Sequence, residues 1–101
     1  MGDYTIEFGT MAAADPAPLL RGLPDDRCQC PHWGFLFRGR LTVRYADGEE
    51  TFSSGEAYYM APGHRPRFDE DCEWVEFSPT ALWRETRALI LRNRELLELS
   101  P

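Results

Sequence analysis

The chain has no lysine, and only three cysteines and two histidines occur among its 101 residues. Its eleven basic residues, all arginine, are outnumbered by 17 acidic residues, which gives a formal charge of −6. Nucleic acids and anionic membranes are bound by concentrated basic patches, so this balance argues against both as partners. Three cysteines are too few for a secreted disulfide framework. Grouped cysteine and histidine in a reducing compartment indicate metal binding or catalysis instead.

Long apolar runs are also missing, so no segment is predicted to cross a membrane. Met1 is followed by Gly2 and Asp3 rather than by a basic and then an apolar stretch, so we expect no secretory signal and a cytoplasmic protein. A hydrophobic content of 43% excludes disorder. The length predicts one domain spanning 1–101, near the size at which a single core suffices, and we expect a homodimer.

The pattern along the chain divides this domain into three parts. Residues 1–27 hold a strand candidate at Tyr4 to Phe8 and then several prolines, which predicts an irregular N-terminal arm. Residues 28–78 contain short strands separated by glycine and proline, the pattern of a β-sandwich or barrel. Residues 79–99 carry apolar pairs at a seven-residue spacing, which predicts a helix with Ser78 as its cap, packed on its own sheet or on a partner.

Within the central part, Asp47 and Gly48 form the pair that best supports a two-residue hairpin turn between antiparallel strands. The aromatic residues near this hairpin are expected to fill the core or line the barrel, a set made up of Trp33, Phe35, Phe37, Tyr58 and Tyr59. Cys72 is expected to be structural or exposed. Two acidic residues, Glu73 and Glu76, could hydrogen-bond to a histidine ligand.

Two thiols and an imidazole occupy alternate positions at Cys28, Cys30 and His32. If the segment is extended, all three side chains point the same way, and His64 supplies a second imidazole after a turn. Thiolate and imidazole select zinc, copper or iron over magnesium and calcium, and zinc is slightly preferred. The sequence therefore predicts a transition-metal site. A Cys28 to Cys30 disulfide is the competing idea, but along a strand it would span about 6.6 Å and be strained.

The number of ligands would decide the role of such a metal. If all four residues bind, coordination is complete and the metal is structural; if one cysteine turns away, an open position can take water or substrate. Pro31 lies inside the segment, where it fixes φ and removes a donor, so a bulge could exclude Cys28 or Cys30. In the alternative without metal, both cysteines are small core residues and the histidines form ordinary hydrogen bonds.

Residues 28–78 resemble the cupin family of small jelly-roll barrels, whose first motif is G-x5-H-x-H-x(3 or 4)-E-x6-G. Gly39 is similar to the final glycine of that motif, which places His32 at the glutamate position, Cys28 at the second histidine and Asp26 at the first. The second motif, G-x5-P-x-G-x2-H, is matched by a segment that begins at Gly55 and keeps Gly63. There Ala61 replaces the proline, Pro66 takes the histidine position, and His64 lies two residues earlier.

More specifically, the chain resembles small bacterial cupins with Cys-Pro-His-Trp-Gly before the first hairpin and Pro-Gly-His-x-Pro in the second motif. The resemblance implies an all-β jelly-roll barrel with an irregular N-terminal arm and one C-terminal α-helix. It implies a transition metal inside the barrel and, if the protein is an enzyme, metal-dependent oxidation or isomerisation of a small molecule. The alternatives are a non-catalytic metal- or redox-sensing module and a metal-free barrel for a small ligand. The catalytic residues and the substrate stay unknown at this stage.

Overall fold

The computed structural model describes residues 2–99, so Met1, Ser100 and Pro101 of the predicted domain lie outside the described part. Seven strands and one helix follow one another in the order β1 Tyr4–Met11, β2 His32–Arg38, β3 Arg40–Tyr45, β4 Gly48–Ser53, β5 Glu56–Met60, β6 Arg65–Phe68, β7 Cys72–Pro79 and α1 Thr80–Leu99. Short 3-10 turns at Ala17–Leu20 and Pro24–Asp26 interrupt the segment between β1 and β2. Within residues 2–99 no helix is both long and apolar enough to cross a membrane.

The strands form two antiparallel sheets that face each other. The four-stranded sheet has the order β1-β7-β2-β5, and the three-stranded sheet has the order β4-β3-β6. Apolar side chains from both sheets meet between them in a core of buried residues, namely Leu36, Leu41, Val43, Tyr58, Met60 and Cys72. This is the all-β architecture that the sequence predicts, with its single helix at the C-terminus.

The N-terminal arm is more regular than expected at its start. Strand β1 continues past Phe8 to Met11 and pairs with β7 along its whole length. Gly9 permits this pairing, since a Cβ at that position would come within 2.5 Å of the Trp74 ring, which lies against the glycine. The arm therefore contributes an edge strand to the four-stranded sheet before it crosses to the other side.

The predicted hairpin forms between β3 and β4, with its turn one residue earlier than expected. Tyr45 pairs directly with Gly48, so Ala46 and Asp47 are the two residues of the loop.

The prediction that Ser78 caps the C-terminal helix is wrong. Strand β7 runs through Ser78 to the following proline, and the helix begins at Thr80.

The prediction that the aromatic residues fill the core is wrong for four of the five. Tyr58 is buried, whereas the other four are 37% to 50% exposed. The cause is the alternation of side chains between the two faces of a strand. Leu36 on β2 and Met60 on β5 point inward, so their neighbours in sequence point outward. The residues that point outward are Trp33, Phe35, Phe37 and Tyr59.

Helix α1 packs within its own subunit. Trp83 and Ile90, one heptad apart, lie against a second small core formed by Leu20, Cys28 and Cys30. Further along the helix, Asn93 Nδ2 donates hydrogen bonds to two carbonyl oxygens of the arm, those of Leu19 at 2.8 Å and Arg21 at 2.7 Å. The helix and the arm together close one end of the sandwich.

Candidate metal centre

Two of the predicted ligands are brought together by a backbone bridge between distant parts of the chain. Cys28 directly follows the arm and pairs with His64, which precedes β6: the Cys28 N–H donates to the His64 carbonyl at 2.9 Å, and the His64 N–H donates to the Cys28 carbonyl at 3.2 Å. Arg27 strengthens the connection by donating to the Gly63 carbonyl at 3.3 Å. The bridge fixes the separation of the thiol and one imidazole.

The third residue of the cluster is His32, the first residue of β2. Its Nε2 lies 3.8 Å from Cys28 Sγ, and its ring centroid lies 5.0 Å from that of His64. The candidate ligand atoms of these three residues all fall within 4.8 Å of one another. Cys28 and His64 are buried, and the side chain of His32 is 12% exposed. We call these three residues the Cys/His/His cluster.

Cys30, the fourth predicted ligand, lies outside this cluster. The chain bends at Cys30 and Pro31, so the segment is not extended and the expected alternation of side chains is broken. The Cys30 thiol instead donates to the Pro31 carbonyl at 3.7 Å and packs in the small core beneath helix α1, where it is fully buried. The three cysteines, Cys72 included, are all free thiols, so the structure has no Cys28 to Cys30 disulfide.

The hydrogen bonds of both imidazoles leave Nε2 as the free ring nitrogen. His64 Nδ1 donates to the Ala61 carbonyl at 2.7 Å, so its Nε2 keeps a lone pair. His32 Nδ1 lies 2.6 Å from Ser78 Oγ, and the tautomer that donates to this oxygen presents Nε2 to Cys28. Ser78, expected to cap the helix, therefore orients a histidine. Its position on β7, two residues after Glu76, is the sequence signal that places both side chains on one face.

Burial keeps the imidazoles of the cluster neutral and its thiol protonated. Desolvation, with a further contribution from His64, lowers the pKa of His32 to about 3. Burial also lowers the pKa of His64. For Cys28, desolvation raises the thiol pKa to about 11, so a thiolate would need a cation beside it. A metal ion binds neutral imidazole and thiolate, so both histidines are already in the form that binds and Cys28 must lose its proton when an ion binds.

A buried carboxyl lies next to the cluster. Glu76 Oε2 is 3.5 Å from His32 Nδ1, and its Oε1 accepts a hydrogen bond from the Tyr58 hydroxyl at 2.7 Å. Since His32 is neutral, this approach is not an ion pair. Burial raises the pKa of Glu76 to about 7, so the group can hold or release a proton near neutrality. Glu73, the other acidic residue considered from the sequence, faces outward beside Arg38.

The geometry of the cluster fits a transition metal. Tetrahedral zinc, with Zn–S near 2.3 Å and Zn–N near 2.0 Å, spaces sulfur and nitrogen ligands by roughly 3.5 Å. The Cys28 Sγ to His32 Nε2 distance of 3.8 Å is within a few tenths of that value. One soft and two borderline donors favour zinc, copper or iron over magnesium or calcium.

The cluster lies at the base of a cavity of about 330 Å³ between the two sheets, the arm and helix α1. The base is polar and also contains Tyr58, Glu76 and Thr86, while Arg87 and Arg94 of the helix lie at the rim. The walls are mainly apolar and include Met11, Leu19, Met60, Phe68, Trp74 and Trp83. A cavity of this size and lining can enclose a small organic molecule.

Comparison with known proteins identifies the fold. No family model matches the chain, and none of the curated proteins matches it. Among solved structures, a cupin-2 domain protein of Shewanella frigidimarina aligns over 78% of this chain and 72% of its own, with a TM-score of 0.55 and 19% identity.

Two further solved structures agree with this one. A cupin superfamily protein of Desulfitobacterium hafniense covers 78% of this chain and 69% of its own, with a TM-score of 0.55 and 6% identity. A Cupin 2 conserved barrel domain protein of Salinispora arenicola covers 86% and 72%, with a TM-score of 0.51 and 14% identity. At these identities the likeness concerns the fold alone, and it identifies the chain as a small protein with the cupin jelly-roll fold.

Proposed function

We propose that the protein binds a transition metal ion, preferably zinc, through Cys28, His32 and His64, and that this centre acts on a small molecule held in the cavity above it. One observation carries the proposal: two neutral imidazoles and a buried thiol place their candidate ligand atoms within 4.8 Å of one another in the lining of a largely apolar cavity. Three protein ligands leave a fourth tetrahedral position. That position favours a centre open to substrate over a closed structural one.

Charge balance supports a divalent ion at this place. The Cys28 thiolate would supply one negative charge, and the ionised form of Glu76, 3.5 Å from His32, would supply a second nearby. Together with two neutral imidazoles these charges sum to zero with a divalent ion. Burial of a neutral assembly costs far less free energy than burial of an uncompensated thiolate.

The residues around the cluster define what the chain itself contributes to chemistry. A bound metal would supply a Lewis acid or a redox centre at the base of the cavity. The chain would orient His32 through Ser78 and present the Glu76 carboxylate, which the Tyr58 hydroxyl fixes in place, as a proton acceptor. Apolar walls exclude water from the bound molecule.

The cavity also restricts the class of substrate. Its walls favour a small and mostly apolar molecule, and its polar base favours one polar group, such as a carbonyl or hydroxyl, at the end that meets the metal. Arg87 at the rim is paired with Glu7 at 3.3 Å and lies 5.0 Å from the centroid of the Trp83 ring. A large or multiply charged substrate does not suit such a cavity.

The test is the metal content of the purified chain, prepared without a metal-binding tag and measured by elemental mass spectrometry. We expect close to one metal per chain, lost in Cys28→Ser, His32→Ala and His64→Ala. Cys30→Ser is the matched control, because its thiol is equally buried but lies outside the cluster. Loss of metal in this control would indicate a four-ligand structural site. A metal-free parent protein, after both aerobic and anaerobic preparation, would leave a barrel that binds a small ligand without metal.

A further inference from the structure

The outward face of the four-stranded sheet is apolar. On strand β1 the exposed side chains are Tyr4 at 45%, Ile6 at 41% and Phe8 at 76%. Strands β2 and β5 add the four aromatic residues that the sequence had suggested for the core. We call this surface the outer face, and its members are Tyr4, Ile6, Phe8, Trp33, Phe35, Phe37 and Tyr59.

The strand register makes the outer face continuous. One row across the sheet runs from β1 to β5 through Ile6, Phe77, Trp33 and Tyr59, and the next row runs through Phe8, Val75, Phe35 and Ala57. Ring contacts connect its members, with centroid separations of 6.2 Å for Tyr4 and Trp33, 5.2 Å for Trp33 and Tyr59, and 5.4 Å for Phe35 and Phe37. Side chains on one face of adjacent strands form a single surface.

The exposed area of the outer face is close to the area that one partner buries in a specific protein–protein interface. Taking about 200 Å² for a whole aromatic side chain, the exposed fractions of the seven members amount to roughly 700 Å². A specific interface buries about 800 Å² on each partner, whereas the largest apolar patch on a typical monomer is about 300–600 Å². The outer face is therefore too large for an ordinary solvated surface and large enough for one stable interface.

We infer that the outer face binds the outer face of a second copy of this chain, giving a two-fold homodimer in which the four-stranded sheets pack face to face. An isologous contact needs a self-complementary surface, and a broad apolar sheet without a groove meets that need. At its border, Arg38 and Glu73 lie 3.8 Å apart on neighbouring strands, so both signs of charge are present there. The net charge of −6 disfavours an anionic membrane as the occupant.

The inference is independent of the metal, because the outer face lies on the opposite side of the four-stranded sheet from the Cys/His/His cluster. On β2, His32 faces inward, and the next residue, Trp33, faces outward. Removal of metal is thus expected to leave the dimer in place, which separates a failure of this inference from a failure of the proposed function.

The test is sedimentation velocity of the full chain from 1 to 100 µM, with Phe8→Glu and Phe35→Glu as disrupting variants. Twice the 11.6 kDa chain mass is expected for the parent. Each glutamate should weaken the dimer by at least tenfold, because it places a charge inside a dry interface. Leu97→Glu is the matched control, since Leu97 is 45% exposed in the last turn of helix α1 and is not a member of the outer face.

Three outcomes would overturn the inference: a parent chain that stays monomeric at 100 µM, a dimer broken by Leu97→Glu alone, or sedimentation of the parent with neutral or anionic vesicles in preference to self-association. Phe8→Glu is the variant least able to disturb folding, because its side chain is 76% exposed on an edge strand. Unchanged thermal unfolding midpoints of the dilute chains would show that the substitutions act on association.

Discussion

The number of protons released when metal binds tests the proposed ligand set quantitatively. At pH 8.5 the Cys28 thiol, with a pKa of about 11, is only about 0.3% ionised, so binding as a thiolate must release one proton. His32, with a pKa of about 3, is already neutral and releases none. Glu76, with a pKa of about 7, is about 97% ionised at this pH and contributes almost nothing. We therefore predict that the protein ligands release one proton per metal.

The number of protons released also determines how the affinity for metal depends on pH. By linkage, the logarithm of the apparent association constant changes by one for each pH unit when one proton is released. The apparent dissociation constant for zinc should therefore be about tenfold weaker at pH 8 than at pH 9. Calorimetric titration of the metal-free chain in buffers with different ionisation enthalpies measures the proton number directly, and a competing chelator keeps the free zinc concentration known.

The variants make the result decisive. Cys30→Ser should still release one proton, and Cys28→Ser should release none and bind more weakly. Release of two protons in the parent chain that falls to one in Cys30→Ser would mean that the Cys30 thiol, whose pKa burial raises to about 12, also becomes a ligand, whereas two protons in both chains would come from ionisation of a water molecule at the open position. Release of none would mean that no thiol binds the metal. A second proton that is lost in Cys30→Ser, or release of no proton at all, would refute the assignment of Cys28 as the single thiolate ligand.

Three further predictions follow from contacts in the structure. Ser78→Ala removes the partner of His32 Nδ1, so zinc affinity should fall about 10- to 100-fold in competition titrations while the fold is retained. Gly34→Ala places a Cβ within 2.6 Å of a tyrosine ring and a backbone carbonyl, and it should lower the free energy of unfolding in urea by about 2 kcal/mol or more. Leu36→Ala should cost about 2–5 kcal/mol in the same assay, because Leu36 is fully buried in the core.

The sequence predicts the strands and most of the cluster because those features depend on local pattern. Alternation in β3 and the turn residues at Asp47 and Gly48 are enough to place a hairpin to within one residue. The spacing of Cys28 and His32, with His64 beside a glycine turn, is enough to select three residues that meet in space. Cysteine and histidine are rare in this chain, so a group of them is stronger evidence for a site than a group of common residues would be.

The errors arise where one residue decides which way its neighbours face. A bend at Cys30 and Pro31 breaks the assumed alternation, and the thiol enters a small core beneath the helix instead of the cluster. On β2, the inward positions of His32 and Leu36 force Trp33 outward, although hydrophobicity alone favours its burial. Ser78 was misassigned because strand β7 continues through it, and the extent of β7 depends on pairing with β1 more than sixty residues away.

The contacts that hold helix α1 bear on how fast a molecule could enter and leave the cavity. The helix and the arm cover the cavity, and Asn93 joins them through two hydrogen bonds to arm carbonyls. Movement of the helix alone would break no strand pairing, since the helix belongs to neither sheet. Exchange of a bound molecule would therefore require only local opening, with a free energy well below that of global unfolding. His32 is held by β2, and Cys28 and His64 by their backbone bridge, so a molecule could enter and leave the cavity through movement of the helix without loss of these backbone contacts.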